Sequence, residues 1–329
     1  MRIGTGFWRN AAVAVCLASS ISIAQAQNFP SKPVTMLIPF AAGGPTDVVG
    51  RLVGEHMSRS LGQPVIIENA VGAAGTLAGQ RLMASSADGH VILIGHTGTH
   101  AAAVSLNPNL KYRPVEDFAP IGLVNTNPIF LTLRKTHPSS TLSEFVTWLK
   151  ANEKAASNAH AGVGSVSHTT CLLFNTVLGV KPNGVPYRGT GPAMNDLVGG
   201  QVDYLCDQAV NVAPQHRAGT IKTLAVASTA RAIALPDVPT STEGGVPDFK
   251  VEVWNAMFAP KDTPAPVVTR LNQALKAALA DATVKAKLNE LGAEIPSAEL
   301  QEPAGLRAFV GAEIERWAPI IKASGVKIE

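Results

Sequence analysis

Short apolar runs that alternate with helix-spaced segments constrain this chain most. Val34–Phe40 (VTMLIPF) is a mostly apolar run of strand length, and Gly43-Gly44 breaks it. From Asp47 to Leu61 the apolar residues fall at 48, 49, 52, 53, 57 and 61, the spacing of one helical face. Gly62 stops that helix. Pro64–Glu68 reads as a second strand, Gly75–Ser85 as a second helix and Val91–Gly95 as a third strand. Strands and helices alternating across short turns predict an α/β fold on a parallel, doubly wound sheet.

A proline-spaced connector from Asn107 to Pro120 follows, then a long extended segment over Ile121–Leu133. Leu142–Ala151 is a helix with Thr141 as its cap. The alternation then resumes: helix Val166–Leu178, strand Val180–Tyr187, helix Gly191–Val198, strand Val202–Asp207, helix Val210–Ala218 and strand Ile221–Ala227. A turn-rich stretch (PDVPTSTEGGVPDF) leads to a strand over Val251–Ala259 and three helices, Ala265–Ala280, Ala282–Leu291 and Gly305–Ala323. A chain of 329 residues exceeds a usual single core. We expect lobe 1 from residues 27–126 plus 249–329 and lobe 2 from 127–248. The chain would cross near Val124–Phe130 and return near Val253–Phe258. Two crossings make a hinge and leave a cleft with a doubly wound sheet on either side.

The start of the chain sets the expected compartment. Arg2 and Arg9 precede a short apolar run, Ala11–Ala18, and Ala24-Gln25-Ala26 has the small-x-small pattern of a cleavage site. Residues 1–26 therefore read as a signal peptide and the product as exported to the periplasm. Val15 stands before Cys16 where a lipid-attachment site wants a small residue. Later apolar stretches are interrupted, so no membrane insertion is expected. Net charge is +3, and loss of both signal arginines brings it close to neutrality. No basic run with interleaved aromatics exists, so nucleic acid is not an expected partner. Cys171 and Cys206 remain, each in an apolar context; a disulfide and two buried thiols are both open.

Ligands of open parallel sheets bind beyond the carboxyl ends of strands, at helix N-termini. Three loops hold that position. The first is Phe40-Ala41-Ala42-Gly43-Gly44-Pro45-Thr46-Asp47, whose glycines allow close backbone approach before a helix starts. It lacks the Gly-Lys-Ser/Thr of a phosphate loop and the GxGxxG of a dinucleotide fold. Asp47 could also cap the helix. The second loop contains Thr97 and Gly98, between His96 and His100. The third is Ala161-Gly162-Val163-Gly164-Ser165-Val166-Ser167-His168, where either serine could cap a helix or donate to a ligand. Asp207 ends a strand at the same edge and could orient the pocket, accept from a ligand or cap a helix. Trp254 could close over a ligand or serve as core. Neutral donors converging from both lobes would hold a small carboxylate without a fixed arginine.

These stretches carry a resemblance. FPSKPVTMLIPFAAGGPTDVVGRL, LGQPVIIEN, LKYRPVEDFAPIGLV, GVGSVSH, VPYRGTGPAMNDLVGGQVDY, RAGTIKTLAV, LPDVPTSTEGG and EIERWAPIIKASGV run in order from Phe29 to Val326. Together they resemble the Bug family, the extracytoplasmic solute receptors of tripartite tricarboxylate transporters. The resemblance implies a two-lobed periplasmic-binding-protein fold, type II-like, that closes on a small carboxylate and works with membrane transporter subunits. It implies no catalysis and no cofactor; a monomer is expected. It carries Phe40 to Asp47, Thr97, Gly98, Ser165, Ser167, His168 and Asp207 over as contact positions, and Val166 lies between the two serines. Four positions depart from the usual pattern, one of them Arg113 in the connector, where the family frequently has Asp. Ala161 removes a donor that Ser usually supplies, and His96 and His100 replace threonine or small residues. These departures bear on which acid is bound.

Other functions fit less well. Ser165 or Ser167 with His168 could suggest a hydrolase, but no G-x-S-x-G elbow is present. The eight histidines are scattered along the chain and form no combined Cys/His ligand set. A cytoplasmic regulator would need a DNA-binding helix pair. A periplasmic sensor that presents its closed form to a membrane signalling partner uses the same closure, and sequence does not separate it from a transport receptor.

Overall fold

The computed structural model describes residues 29–324, so the expected signal segment at 1–26 lies outside the described residues. β1 (Val34–Ile38) is buried on both faces, with Met36 and Ile38 on one side and Leu37 on the other. α1 (Pro45–Leu61) lays Val49, Val53 and Met57 against the first of these faces. Gly62, at φ 73°, ends it in the left-handed conformation that favours glycine. β2 (Val65–Asn69) and β3 (Val91–His96) flank β1 in parallel, Val34 opposite Val65 and Thr35 opposite Val91. α2 (Thr76–Met83) covers the second face with Ala78 and Leu82. After β3 a π-helical turn, Gly98–Ala102, runs into α3 (Ala103–Leu106).

β4 (Phe118–Arg134) is the long extended segment, 17 residues in one strand. α4 (Leu142–Ala151) begins at a capping box. Thr141 Oγ1 accepts from the Glu144 N–H at 3.2 Å, and the Glu144 carboxylate accepts from the Thr141 N–H at 3.3 Å. β5 (Ser157–His160) is a strand that the sequence pattern does not mark. Its SNAH sequence has no apolar alternation, and it is extended because two neighbours pair with it. α5 (Val166–Leu178) leads to β6 (Asn183–Pro186), and α6 (Thr190–Val198) leads to β7 (Tyr204–Gln208). Both of these strands run parallel to β5. α7 (Ala209–Arg217) and β8 (Ile221–Val226) complete this half. β9 (Glu252–Pro260) returns to the first half, followed by α8 (Ala265–Ala280), α9 (Ala282–Glu290) and α10 (Pro303–Ser324).

Among the described residues the strand order is β2-β1-β3-β9-β4-β7-β5-β6, with β8 also on β4. The sheets are mixed where the sequence suggested parallel ones. β9 is antiparallel to β3 and to the first part of β4, and β7 and β8 are antiparallel to its last part. The reason is the return path. β9 arrives from the other half and can only run back along β4. Register shifts fall beside Pro120, which has no N–H to give the ladder, and between Leu123 and Asn125. The second half also buries two faces. Phe130, Met194, Leu197 and Leu205 pack on one side, and Leu131, Phe145, Phe174 and Tyr204 on the other.

Trp254 is core. It is 2% exposed, its Nε1–H donates to Glu313 at 2.8 Å, and Phe309 meets it edge-on. It ties α10 to β9 and does not cover a ligand. Cys171 of α5 and Cys206 of β7 form a disulfide with Cα atoms 5.3 Å apart.

That bridge closes a loop of sequence separation 35. Loop-closure entropy on this scale contributes about 3–4 kcal/mol. A Cys171→Ala/Cys206→Ala double variant should therefore unfold at clearly lower urea, and an unchanged midpoint would contradict the bridge. The buried histidines give a second expectation. His100 stacks on Phe258 with ring centroids 4.2 Å apart, and His137 meets Trp148 edge-on at 4.4 Å. Burial lowers the first to about 3 and the second to about 4, from an ordinary 6.5. Between 6.5 and those values the unfolded chain binds protons that the folded chain does not. Stability should then fall as pH falls through that window, read as a lower melting temperature at pH 5 than at pH 7. A flat profile would mean that these rings titrate freely.

Candidate ligand-binding site

A cavity opens where the two parallel strand sets end against each other. Its empty space is about 330 Å³, open mouth included. Phe40, Gly44, Pro45, Thr46 and His96 line it from the first half. Ala161, Ser165, Val166, Ser167, Thr190, Asp207 and Gln208 line it from the second.

Four helix N-termini border this space. The N-caps are Gly44 for α1, Ser165 for α5, Gly189 for α6 and Gln208 for α7. Only Ser165 caps with its side chain, accepting from the His168 N–H at 3.3 Å. First-turn N–H groups and helix dipoles make such ends favourable for negative charge. No lysine or arginine is among the lining residues.

The first loop is braced from behind. Gly43, at φ 82°, donates its N–H to Asp47 Oδ2 at 2.9 Å. Asp47 also accepts from Arg51 and from Asn69, each at 2.9 Å, and Asn69 donates to the Phe40 carbonyl. Burial alone would raise the Asp47 carboxyl, but Arg51, the Gly43 N–H and Asn69 outweigh it and hold it below the usual range. Asp47 is thus not the N-cap. It sits at the third helical position, reaches back, and lies outside the lining. Ala41 donates its N–H to the Arg188 carbonyl at 3.1 Å, across the gap between halves. A Cβ on Gly191 would meet the Gly43, Ala42 and Gly44 backbone at 2.9–3.0 Å. Ala41, Ala42 and Gly43 therefore form the contact between halves and do not line the cavity.

His96 stacks on Phe40 at 4.9 Å, with 7° between the rings. Its Nδ1 accepts from the Gly98 N–H at 2.8 Å and the Thr99 N–H at 3.3 Å. Burial lowers its pKa to about 4, so the ring is neutral and carries its proton on Nε2. Gly98 backs this ring, and a Cβ there would meet it at 2.6 Å. Thr97 is committed elsewhere: its Oγ1 accepts from the Trp254 N–H at 2.9 Å. His100 faces the core, away from the cavity.

In the second half Ser167 Oγ accepts from the Ala161 N–H at 2.9 Å and lies 3.2 Å from Ser165 Oγ. His168 turns away, its Nδ1 accepting from the Gly164 N–H and its ring against His160. No bond joins a serine hydroxyl to the His168 ring, so the Ser–His pairing of a hydrolase is not formed. Asp207 is 2% exposed. Its Oδ1 accepts from the Gln208 N–H at 2.9 Å and its Oδ2 from Asn211 at 2.5 Å. Burial pushes its carboxyl up to about 6 despite these donors. Gln208 Oε1 accepts from Asn127 at 2.9 Å, which leaves its amide N–H groups free for the cavity.

Thr190 and Gln208 escaped sequence reasoning as site residues. Both follow signals that were visible, the Gly-Thr-Gly turn before α6 and the helix start after Asp207. Among the described residues, no group of three or more His, Cys, Asp or Glu is placed to hold a metal ion, and no helix is long and apolar enough to cross a membrane.

Comparison with known proteins identifies the family and agrees with the fold. The model of the tripartite tricarboxylate transporter family receptor matches residues 49–326. MatC from Rhodopseudomonas palustris, solved with bound malate, is 47% identical, with a TM-score of 0.87 over 89% of this chain and 100% of that one. The periplasmic binding protein BugD is 41% identical, with a TM-score of 0.89 over 92% of this chain and 100% of its own. A further R. palustris protein, solved with adipate, is 32% identical, with a TM-score of 0.86 over 91% of this chain and 99% of its own. The chain belongs to the receptor family of the tripartite tricarboxylate transporters, with the two-lobed α/β fold of the Bug-type periplasmic binding proteins.

Proposed function

We propose that this receptor is exported by a cleaved signal segment, captures a small carboxylate in the periplasm as a monomer, and hands it to membrane transporter subunits without transforming it. The carrying observation is the convergence of four helix N-termini, two serines and a neutral imidazole on one cavity that no basic side chain lines. A buried carboxylate costs several kcal/mol unless donors replace its water. Preformed N–H and O–H groups supply that shell. Relatives solved with malate and with adipate support the ligand class.

In this reading the lobes are residues 27–126 with 249–329, and 127–248, hinged where β4 and β9 cross. The contacts are Phe40, Gly44, Thr46 and His96 from one lobe, and Ser165, Val166, Ser167, Thr190, Asp207 and Gln208 from the other. Ala41, Ala42, Gly43, Asp47, Thr97, Gly98 and His168 shape these contacts from behind or meet the opposite lobe on closure. Only contacts that the ligand makes better in the closed form shift the population towards it.

Two outcomes test this. Carboxylates of four to six carbons should raise the melting temperature of the purified chain by several degrees at saturation, since a ligand at 100 times its Kd adds about 2.7 kcal/mol. No shift with any of them would end the proposal. A Cβ at Gly44 would have only ordinary contacts, 3.6 Å to Gly191 and 3.7 Å to Thr190, but branching would fill the gap. Gly44→Ala should bind within a few-fold of wild type. Gly44→Val should lose at least tenfold in affinity by calorimetry with an unchanged circular dichroism spectrum. Full affinity in Gly44→Val would remove the first loop from the site.

A further inference from the structure

An anion receptor gains nothing from a negative charge in its cavity, yet Asp207 lines this one. The contrast with Asp47 is informative. Both acids stand where a strand gives way to a helix, and each meets the residue four positions on. Asp47 meets Arg51, whose guanidinium reaches both carboxylate oxygens at 2.9 Å. Asp207 meets Asn211, a neutral amide, at 2.5 Å. Asp203, just before it in the same strand region, is matched by Arg134 at 3.0 Å. Asp207 has no cation at all among its hydrogen-bond partners, although it is more deeply buried than Asp203. Its neighbours fix the carboxylate without neutralising it. Gln208 and Asn211 hold one oxygen each, and the Thr190 side chain also donates. Each carboxylate oxygen can accept more than one hydrogen bond, so acceptor capacity remains on this lining residue.

An oriented, buried carboxylate without a counter-charge is costly in a closed site. The deficit is relieved if the ligand brings the missing donor. We propose that Asp207 makes this receptor select carboxylates that carry a hydroxyl or ammonium group on the carbon beside a carboxylate, and that Asp207 accepts a hydrogen bond from that group. This rests on the carboxylate-receptor reading and narrows it. The rest of the lining is rich in donors: His96 Nε2, the Gln208 amide and the helix N-termini suit the ligand's own oxygens. Asp207 is the strong acceptor, and a donor on the ligand can take the capacity that Gln208, Asn211 and Thr190 leave. A plain diacid sets a second negative charge against Asp207 and brings no donor to it. Sites built around such a polar group reject the analogue that lacks the matching group far more strongly than apolar pockets reject a missing methylene.

The experiment is titration calorimetry at pH 7.5 with L-malate, L-aspartate and succinate, which share a four-carbon diacid frame. For wild type, malate or aspartate should bind at least tenfold tighter than succinate, and whichever is tighter tells hydroxyl from ammonium. In Asp207→Asn the favoured ligand should weaken at least tenfold while succinate keeps or gains affinity, because a donor now stands where the carboxylate stood. Asp207→Ala, which removes the charge and the acceptor together, should also abolish the preference. Equal wild-type affinities for all three would overturn the role of Asp207 and leave carboxylate capture standing. Equal weakening of all three in both variants would reduce Asp207 to a support for α7. Failure of wild type to bind any of the three would overturn the receptor reading along with the inference.

Discussion

The antiparallel ladder between β4 and β9 is the constraint from which the rest follows. β4 is long enough to serve both halves: its first part pairs with β9, its last part with β7 and β8. Each half then adds its own parallel strands outward from that ladder. Parallel strands put all their carboxyl ends on one side, and the next helix starts there. With both halves fixed to one long strand, their strand ends face a common gap. The cavity is a consequence of this connectivity. No loop has to be arranged to build it.

Helix ends make the cavity favourable for negative charge although no lysine or arginine lines it. Each N-terminus carries roughly half a positive charge spread over free N–H groups. Such donors are rigid, because the helix behind them is packed. α1 lies on Met36 and Ile38, and α5 is bonded to β7 through Cys171 and Cys206. A flexible lysine would give up side-chain entropy on binding, and these groups lose almost none. The glycines complete the device. Gly191 lets the loop at Ala42–Gly44 approach until backbone meets backbone, and the Ala41 N–H reaches the Arg188 carbonyl.

Much of this was legible in the sequence. The apolar periodicity located α5 and α4 to the residue, with Thr141 as the cap, because their ends are marked by local chemistry. Gly62 and Gly179 stop their helices at positive φ, as glycines in those places should. β5 was not legible. Ser157 to His160 is held extended by partners far along the chain, and Asn158 and His160 are buried by that pairing, not by their own hydrophobicity. The antiparallel insertion of β9 was hidden for the same reason. At the site, the loops were visible but the orientation within them was not. Ser165 and His168 sit three positions apart on one helix, yet one borders the cavity and the other packs on His160. A motif gives the helix start; only the packed neighbours decide which side chain turns inward.

His96 shows how packed neighbours decide what a ring lining the cavity can do. An imidazole in an anion cavity could act as a cation, and it does not here. The Gly98 and Thr99 N–H groups both point at Nδ1, so that nitrogen must keep its lone pair. Burial removes the water that a proton there would need, and the Phe40 ring covers one face. The side chain is therefore fixed as a single-proton donor through Nε2 at any pH well above 4. The same logic runs in reverse across the cavity, where Asp207 is fixed as an acceptor by donors that occupy its other lone pairs. One half supplies a polar group that can only give a proton, and the other supplies one that mainly receives. A ligand with one polarity at both ends leaves one of them unmatched.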